Sequence, residues 1–196
     1  MKQRILTTVL ALLAIVTGVQ AGVKLGDNEI TASGTVSSSY IKSGSVSYNK
    51  TTNTLTLNNA TINVGSRDAI CFTSDGTLVI IGTNSVTGDL GLLFDGYNLN
   101  IRLNNNQSGS VTFVGSSENC GIFVGRSSTL AINEGCFVTA QGGWGIAGAD
   151  GTWDETVTIN KATVHATGTQ GSICDLQTFT LTDCGITSPA GAAFTV

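Results

Sequence analysis

Thr54-Leu55-Thr56-Leu57-Asn58-Asn59-Ala60-Thr61-Ile62-Asn63 and Thr156-Val157-Thr158-Ile159-Asn160-Lys161-Ala162-Thr163-Val164-His165 are two copies of one pattern. Each has an alternating run, a polar corner and a second alternating run. Alternation with period two is the mark of a strand with one buried face. Partial copies lie between and beyond them. They are Thr77-Leu78-Val79-Ile80 with Ser85-Val86-Thr87, Thr129-Leu130-Ala131-Ile132-Asn133 with Phe137-Val138-Thr139, and Thr178-Phe179-Thr180-Leu181-Thr182 with Gly185-Ile186-Thr187. A pattern that returns every 20 to 50 residues means a solenoid or an array.

Each unit reads as three strands. Strand a carries Ala69-Ile70-Cys71-Phe72, Gly91-Leu92-Leu93-Phe94, Gly121-Ile122-Phe123-Val124, Gly145-Ile146-Ala147-Gly148 and Ser172-Ile173-Cys174-Asp175. Strand b carries the pairs Leu55/Leu57, Leu78/Ile80, Leu99/Ile101, Leu130/Ile132, Val157/Ile159 and Phe179/Leu181. Strand c carries Ile62, Val86, Val111/Phe113, Val138, Val164 and Ile186. Strands this short bury a face only when stacked, with alternate residues forming inward aliphatic ladders. The pattern therefore predicts an all-β fold, a right-handed parallel β-helix of about six three-strand rungs, with the hand taken from the general crossover rule. Asn58, Asn133 and Asn160 follow strand b and are expected at left-handed corners.

Outside the repeat, residues 1–21 read as an export signal. Lys2 and Arg4 precede the apolar run Ile5 to Val16, and Val19-Gln20-Ala21 offers a small-residue cleavage site. The run is short for a bilayer span, so a secreted, periplasmic or cell-surface protein without a stable membrane span is expected. Loss of this leader removes two of nine cations and none of thirteen acids, taking the formal charge from −4 to −6. Such a balance argues against nucleic acid as a partner, which demands a basic footprint. Residues 22–44 depart from the repeat and are expected to cap its first rung. Residues 45–196 form the repeat domain, whose last stretch, Gly191 to Val196, reads as strand a of a further rung cut short.

The five cysteines are 71, 120, 136, 174 and 184. In this register Cys71 and Cys174 share a column four rungs apart, roughly 19 Å, beyond disulfide reach. Packed free thiols are expected. His165, the one histidine, alternates with Val164 and should face solvent. The outward positions of strand a, namely Cys71, Leu93, Phe123, Ala147 and Cys174, make an apolar stripe, part of which the N-terminal segment is expected to cover.

Chemistry concentrates at the corner between strands a and b. Rung by rung it holds Asp75, then Asp95 with Tyr97, then Arg126, then Asp150, Trp153, Asp154 and Glu155, then Asp175. Stacking brings these into one column. Asp75, Asp95, Tyr97, Arg126 and Trp153 are the candidate ligand-binding set, with flat aromatic faces for sugar rings. Asp150, Asp154 and Glu155 are candidate oxygen ligands for calcium, a hard cation that takes carboxylates. Asp-Gly and Asp-x-Thr are also ordinary turn chemistry, so a purely structural role remains open. No nucleophilic triad is legible, since the one histidine has no serine or cysteine motif around it.

The run Gly44 to Ile62, with Leu130-Ala131-Ile132-Asn133, Thr158-Ile159-Asn160 and Ile186 to Ala192, resembles the repeat of secreted β-helix proteins of gut and other anaerobic bacteria. These are grouped with carbohydrate-binding β-helix domains of pectate-lyase-like shape. The resemblance implies binding of acidic plant polysaccharide with calcium. It is carried by core and corner residues, so it transfers no binding residue. The expected partner is a polysaccharide or cell-surface glycan. The alternatives are a structural or adhesive surface protein and, third, a polysaccharide lyase in which Arg126 serves as the basic group.

Overall fold

The computed structural model describes residues 22–105, 107–151 and 154–187. It is all-β, a parallel solenoid of about five turns. The strands are β1 (Val23–Leu25), β2 (Asn28–Ile30), β3 (Gly34–Thr35), β4 (Ile41–Asn49), β5 (Thr54–Asn63), β6 (Ile70–Phe72), β7 (Gly76–Thr87) and β8 (Leu92–Phe94). They continue with β9 (Asn98–Leu103), β10 (Gly109–Val114), β11 (Cys120–Val124), β12 (Thr129–Ile132), β13 (Cys136–Gly148), β14 (Thr156–Asn160), β15 (Thr163–Cys174) and β16 (Thr178–Thr182).

Six rungs are expected and about five are closed. Strand b is present six times, in β5, β7, β9, β12, β14 and β16, while strands a and c are each present five times among the described residues. The leader 1–21 and the segment 188–196, with its expected extra strand a, lie outside the described residues. No helix among those described is long and apolar enough to cross a membrane.

Three ladders build the core. On the a side Ile70, Leu92, Ile122, Ile146 and Ile173 stand in register. On the b side Leu130 stacks between Leu99 and Val157, and Ile132 between Ile101 and Ile159. On the c side Ile62, Val86, Phe113, Ala140 and Ala166 stack. Nearly all of these side chains are fully buried until the last rung, where Ala166 and Ile173 are half-buried. At roughly 25 cal/mol per Å2, burying each large aliphatic side chain contributes about 2 kcal/mol.

The register departs from the simplest stacking in three places. Leu78 pairs with Ile101 rather than Leu99, a slip of two residues between β7 and β9. A two-residue slip preserves the face each side chain points to, whereas a one-residue slip would invert it. On strand c, Val138 stacks on Val111 rather than in the Ile62 and Val86 column. The left-handed corner residues are Asn59, Lys161 and Asp183, with φ of 49°, 47° and 51°. They fall one position after Asn58, which lies inside β5, and after Asn160 and Thr182, which end β14 and β16. Asn133 is not left-handed either; its amide bonds the Asn100 side chain on the rung below.

The three strands of a rung are not always separate. β5 and β7 run b into c, and β13 and β15 run c into a, with the pairing shifting at Asn58/Thr61 and Gly142/Trp144. At the first rung the partners are antiparallel: β1 lies beside β6, and β4 beside β5. β1 therefore extends the a sheet edgewise, with Lys24 opposite Cys71, rather than crossing its outer face. The apolar stripe Cys71, Leu93, Phe123, Ala147 and Cys174 is in register; Ala147 is buried and the other four are half-buried.

Candidate functional site

Three buried polar residues stand at the a–b corner. Asn53, Ser128 and Glu155 each sit directly before the first threonine of a strand b, and are 4 %, 1 % and 0 % exposed. Polar groups in such positions must be hydrogen-bonded. Asn53 accepts from the Tyr48 hydroxyl at 2.7 Å and donates to the Ser74 hydroxyl and the Asp75 carbonyl. Ser128 Oγ accepts from the backbone N–H groups of Gly96 and Tyr97 at 2.9 and 3.2 Å. The Glu155 carboxylate accepts from the N–H groups of Ala149 and Asp154 at 3.3 and 3.1 Å, which folds the long corner inward. A polar residue directly before the first threonine of a strand b marks all three in the sequence, although Gln177 fits the same rule and is exposed in the last rung.

On the outer side of the corner the predicted residues divide. Asp75 Oδ1 accepts the Asn98 N–H at 2.7 Å, bracing its rung to the next. Asp95 Oδ2 meets Arg126 Nη2 at 3.3 Å on the following rung. Asp154, one rung further, accepts from Ser127 N–H at 2.8 Å and Ser127 Oγ–H at 2.6 Å. Those two bonds from Ser127, followed by the nearby Arg126 charge, hold the Asp154 carboxyl below its ordinary value of 3.8. Asp95, Arg126 and Asp154 thus form a continuous edge over three rungs, with Arg126 in the middle. Tyr97 is half-buried beside it and Asp150 is exposed on the long corner. Trp153 lies outside the described residues.

Of the three expected calcium ligands, two make hydrogen bonds within the corner. Asp154 is held by Ser127, and Glu155 is turned into the loop beneath it. Among the described residues no group of three or more His, Cys, Asp or Glu side chains is close enough to share an ion. At the opposite corner Arg67 pairs with Asp27 of the N-terminal segment, not with its neighbour Asp68. Burial first, then Asp89, pushes the Asp68 carboxyl up.

Elsewhere, all five cysteines are free thiols. Burial pushes Cys120 and Cys136 up to about 11 and, with Asp175 beside it, Cys174 up to about 12. His165 faces outward and meets Phe137 edge-on, a pairing the repeat alone does not announce. A polar groove of about 540 Å3 lies among the N-terminal strands, walled in part by Asp27, Glu29 and Thr31, and none of the predicted site residues lines it.

The edge centred on Arg126 can exchange partners. An exposed ion pair is worth about 0–1 kcal/mol, and the Arg126 side chain is 65 % exposed. A ligand carboxylate can take the guanidinium in Asp95's place, with two parallel N–H···O bonds where geometry allows. No family model matches the chain, and no curated protein or solved structure matches it.

Proposed function

We infer that the protein binds carbohydrate along the a–b edge, and that the ligand is an acidic polysaccharide whose carboxylates reach Arg126. The supporting observation is the exposed guanidinium set between Asp95 and Asp154 on successive rungs. A uronate chain laid along the solenoid passes one corner every rung, roughly 4.8 Å. Half-buried Tyr97 stands next to that path. Calcium enters as a bridge between a uronate carboxylate and exposed Asp150. Titration calorimetry of residues 22–196 against polygalacturonate, with and without calcium, tests the reading. Saturable heat that Arg126→Ala reduces about tenfold supports it. Absence of heat and of thermal shift in both conditions removes it.

A structural or adhesive role is the second reading. It is favoured by the last rung, where β15 pairs only with β13 and β16 only with β14 among the described residues. Ile173, Phe179 and Leu181 are half-buried there, and Ile186 is 39 % exposed. Sedimentation analysis separates the two: concentration-dependent association supports the adhesive role, and a monomer that adheres to no cell surface counts against it.

A further inference from the structure

The outer face of the c sheet carries a second surface, on a different side of the solenoid from the Arg126 edge. One rank runs Thr61, Ser85, Thr112, Thr139 and His165, each in register with the next. Beside it runs Thr83, Ser110, Phe137 and Thr163, again rung on rung. Parallel stacking spaces the members of a rank roughly 4.8 Å apart, so the longer rank spans roughly 19 Å. The strand segments 61–63, 83–87, 110–114, 137–141 and 163–167 contain no Asp, Glu, Lys or Arg. A surface strand is ordinarily studded with charge, and the a–b corner of this chain is.

Phe137 is the anomaly on this face. Its neighbour Val138 fills the core, so Phe137 points outward by strand alternation. It keeps 40 % of its surface exposed and, with Ile186, is one of two exposed large apolar side chains among the described residues. It is not loose: the His165 ring packs against it at a centroid distance of 4.9 Å and an interplanar angle of 74°. Thr163 is its register partner on the next strand, and Thr139 is two residues along on its own strand. A fixed aromatic ring among hydroxyls, on strand segments that carry no charged residue, has the chemistry of a neutral sugar site. The C–H face of a pyranose rests on the ring, and its hydroxyls exchange hydrogen bonds with threonines whose short side chains lose little freedom.

We propose that this face binds a neutral polysaccharide chain lying across the strands, anchored on Phe137 and His165. Charge neutrality of the strands selects the ligand: the strand segments offer an acidic chain no cation and a basic one no anion, and the nearest charges, Glu134 and the Lys161–Asp183 pair, lie at the bordering corner. The ranks repeat, so successive sugars meet equivalent hydroxyls and weak contacts add along the chain. The site stands independently of the uronate edge, since it shares no residue with it.

The test uses residues 22–196 and affinity electrophoresis in gels containing a soluble neutral glucan, mannan or xylan, with polygalacturonate gels alongside. The variants are Phe137→Ser, Thr163→Lys and Arg126→Ala, all at exposed positions, with melting curves to confirm folding. Retardation by at least one neutral glycan is expected. Phe137→Ser weakens it about tenfold, Thr163→Lys weakens it likewise by placing a long cation on the face, and Arg126→Ala leaves it unchanged. Retardation that both c-sheet variants leave intact overturns the proposal, as does absence of retardation by all three neutral glycans. Loss of polygalacturonate binding alone, through Arg126→Ala, bears on the edge and not on this face.

Discussion

Asn84 occupies an inward position of strand c where its register partner is Val111. It is 1 % exposed, yet fully bonded. Its Oδ1 accepts the Ala60 N–H at 2.8 Å, and its Nδ2 donates to the carbonyls of Ile81, Gly82 and Ser110. It therefore replaces the backbone ladder where the chain turns from b to c. Asn84→Ala leaves a buried N–H and carbonyls without partners, and the expected loss is about 2 kcal/mol in urea unfolding. Asn84→Val, which suits the ladder, is expected to lose as much, because the polar groups remain. At the opposite corner Asp154 carries the acid sensitivity. Its folded pKa lies below the ordinary 3.8, so its support for the corner is present above that value and disappears as pH falls through the lowered one. Carbon-detected NMR titration should place its midpoint below 3.8, and Ser127→Ala, removing the first cause, should move it back up. An unshifted midpoint contradicts the Ser127 assignment.

At the scale of elements, the inward alternation of each strand was legible, because burial in a stacked coil imposes period two on every copy. Leu55, Leu78, Leu130 and Val157 all stand inward, as the alternation requires. The exact register was not. A slip of two residues between β7 and β9 leaves every apolar residue inside, so no hydrophobic pattern distinguishes it; the corner lengths decide. Nor does composition reveal that Asp75, Asp154 and Glu155 bind backbone or hydroxyl donors in their own corners, since a turn carboxylate and a ligand carboxylate are the same residue in sequence. Gly148 at the end of β13 shows how tight the stacking is: a Cβ there would land on the Asp175 carbonyl oxygen of the next rung. Gly148→Ala is expected to lower stability by about 1–3 kcal/mol through overpacking, read from the unfolding midpoint, whereas Gly151→Ala, which meets nothing within 4 Å and carries only a positive φ of 76°, should lose about 1 kcal/mol. The thiols follow the same packing. With pKa near 11, Cys120 and Cys136 are almost wholly protonated at pH 7. An aromatic disulfide reagent should leave both unlabelled in the native protein and modify them on unfolding.

For the whole molecule, one geometric fact governs both proposed surfaces: copies distant in sequence become neighbours along an edge or a face. The Arg126 edge draws on three rungs and the hydroxyl face on five. The direct measurement is a distance between two ends of one rank. Thr61 and His165 are exposed and four register steps apart. Spin labels at these two positions, in a background with the five native cysteines replaced by alanine, report that separation by double electron–electron resonance. In-register stacking predicts a narrow distribution centred at roughly 19 Å, broadened by the label arms. A broad distribution, or one centred beyond roughly 30 Å as for an unfolded chain of this size, would contradict the stacking and both surfaces with it.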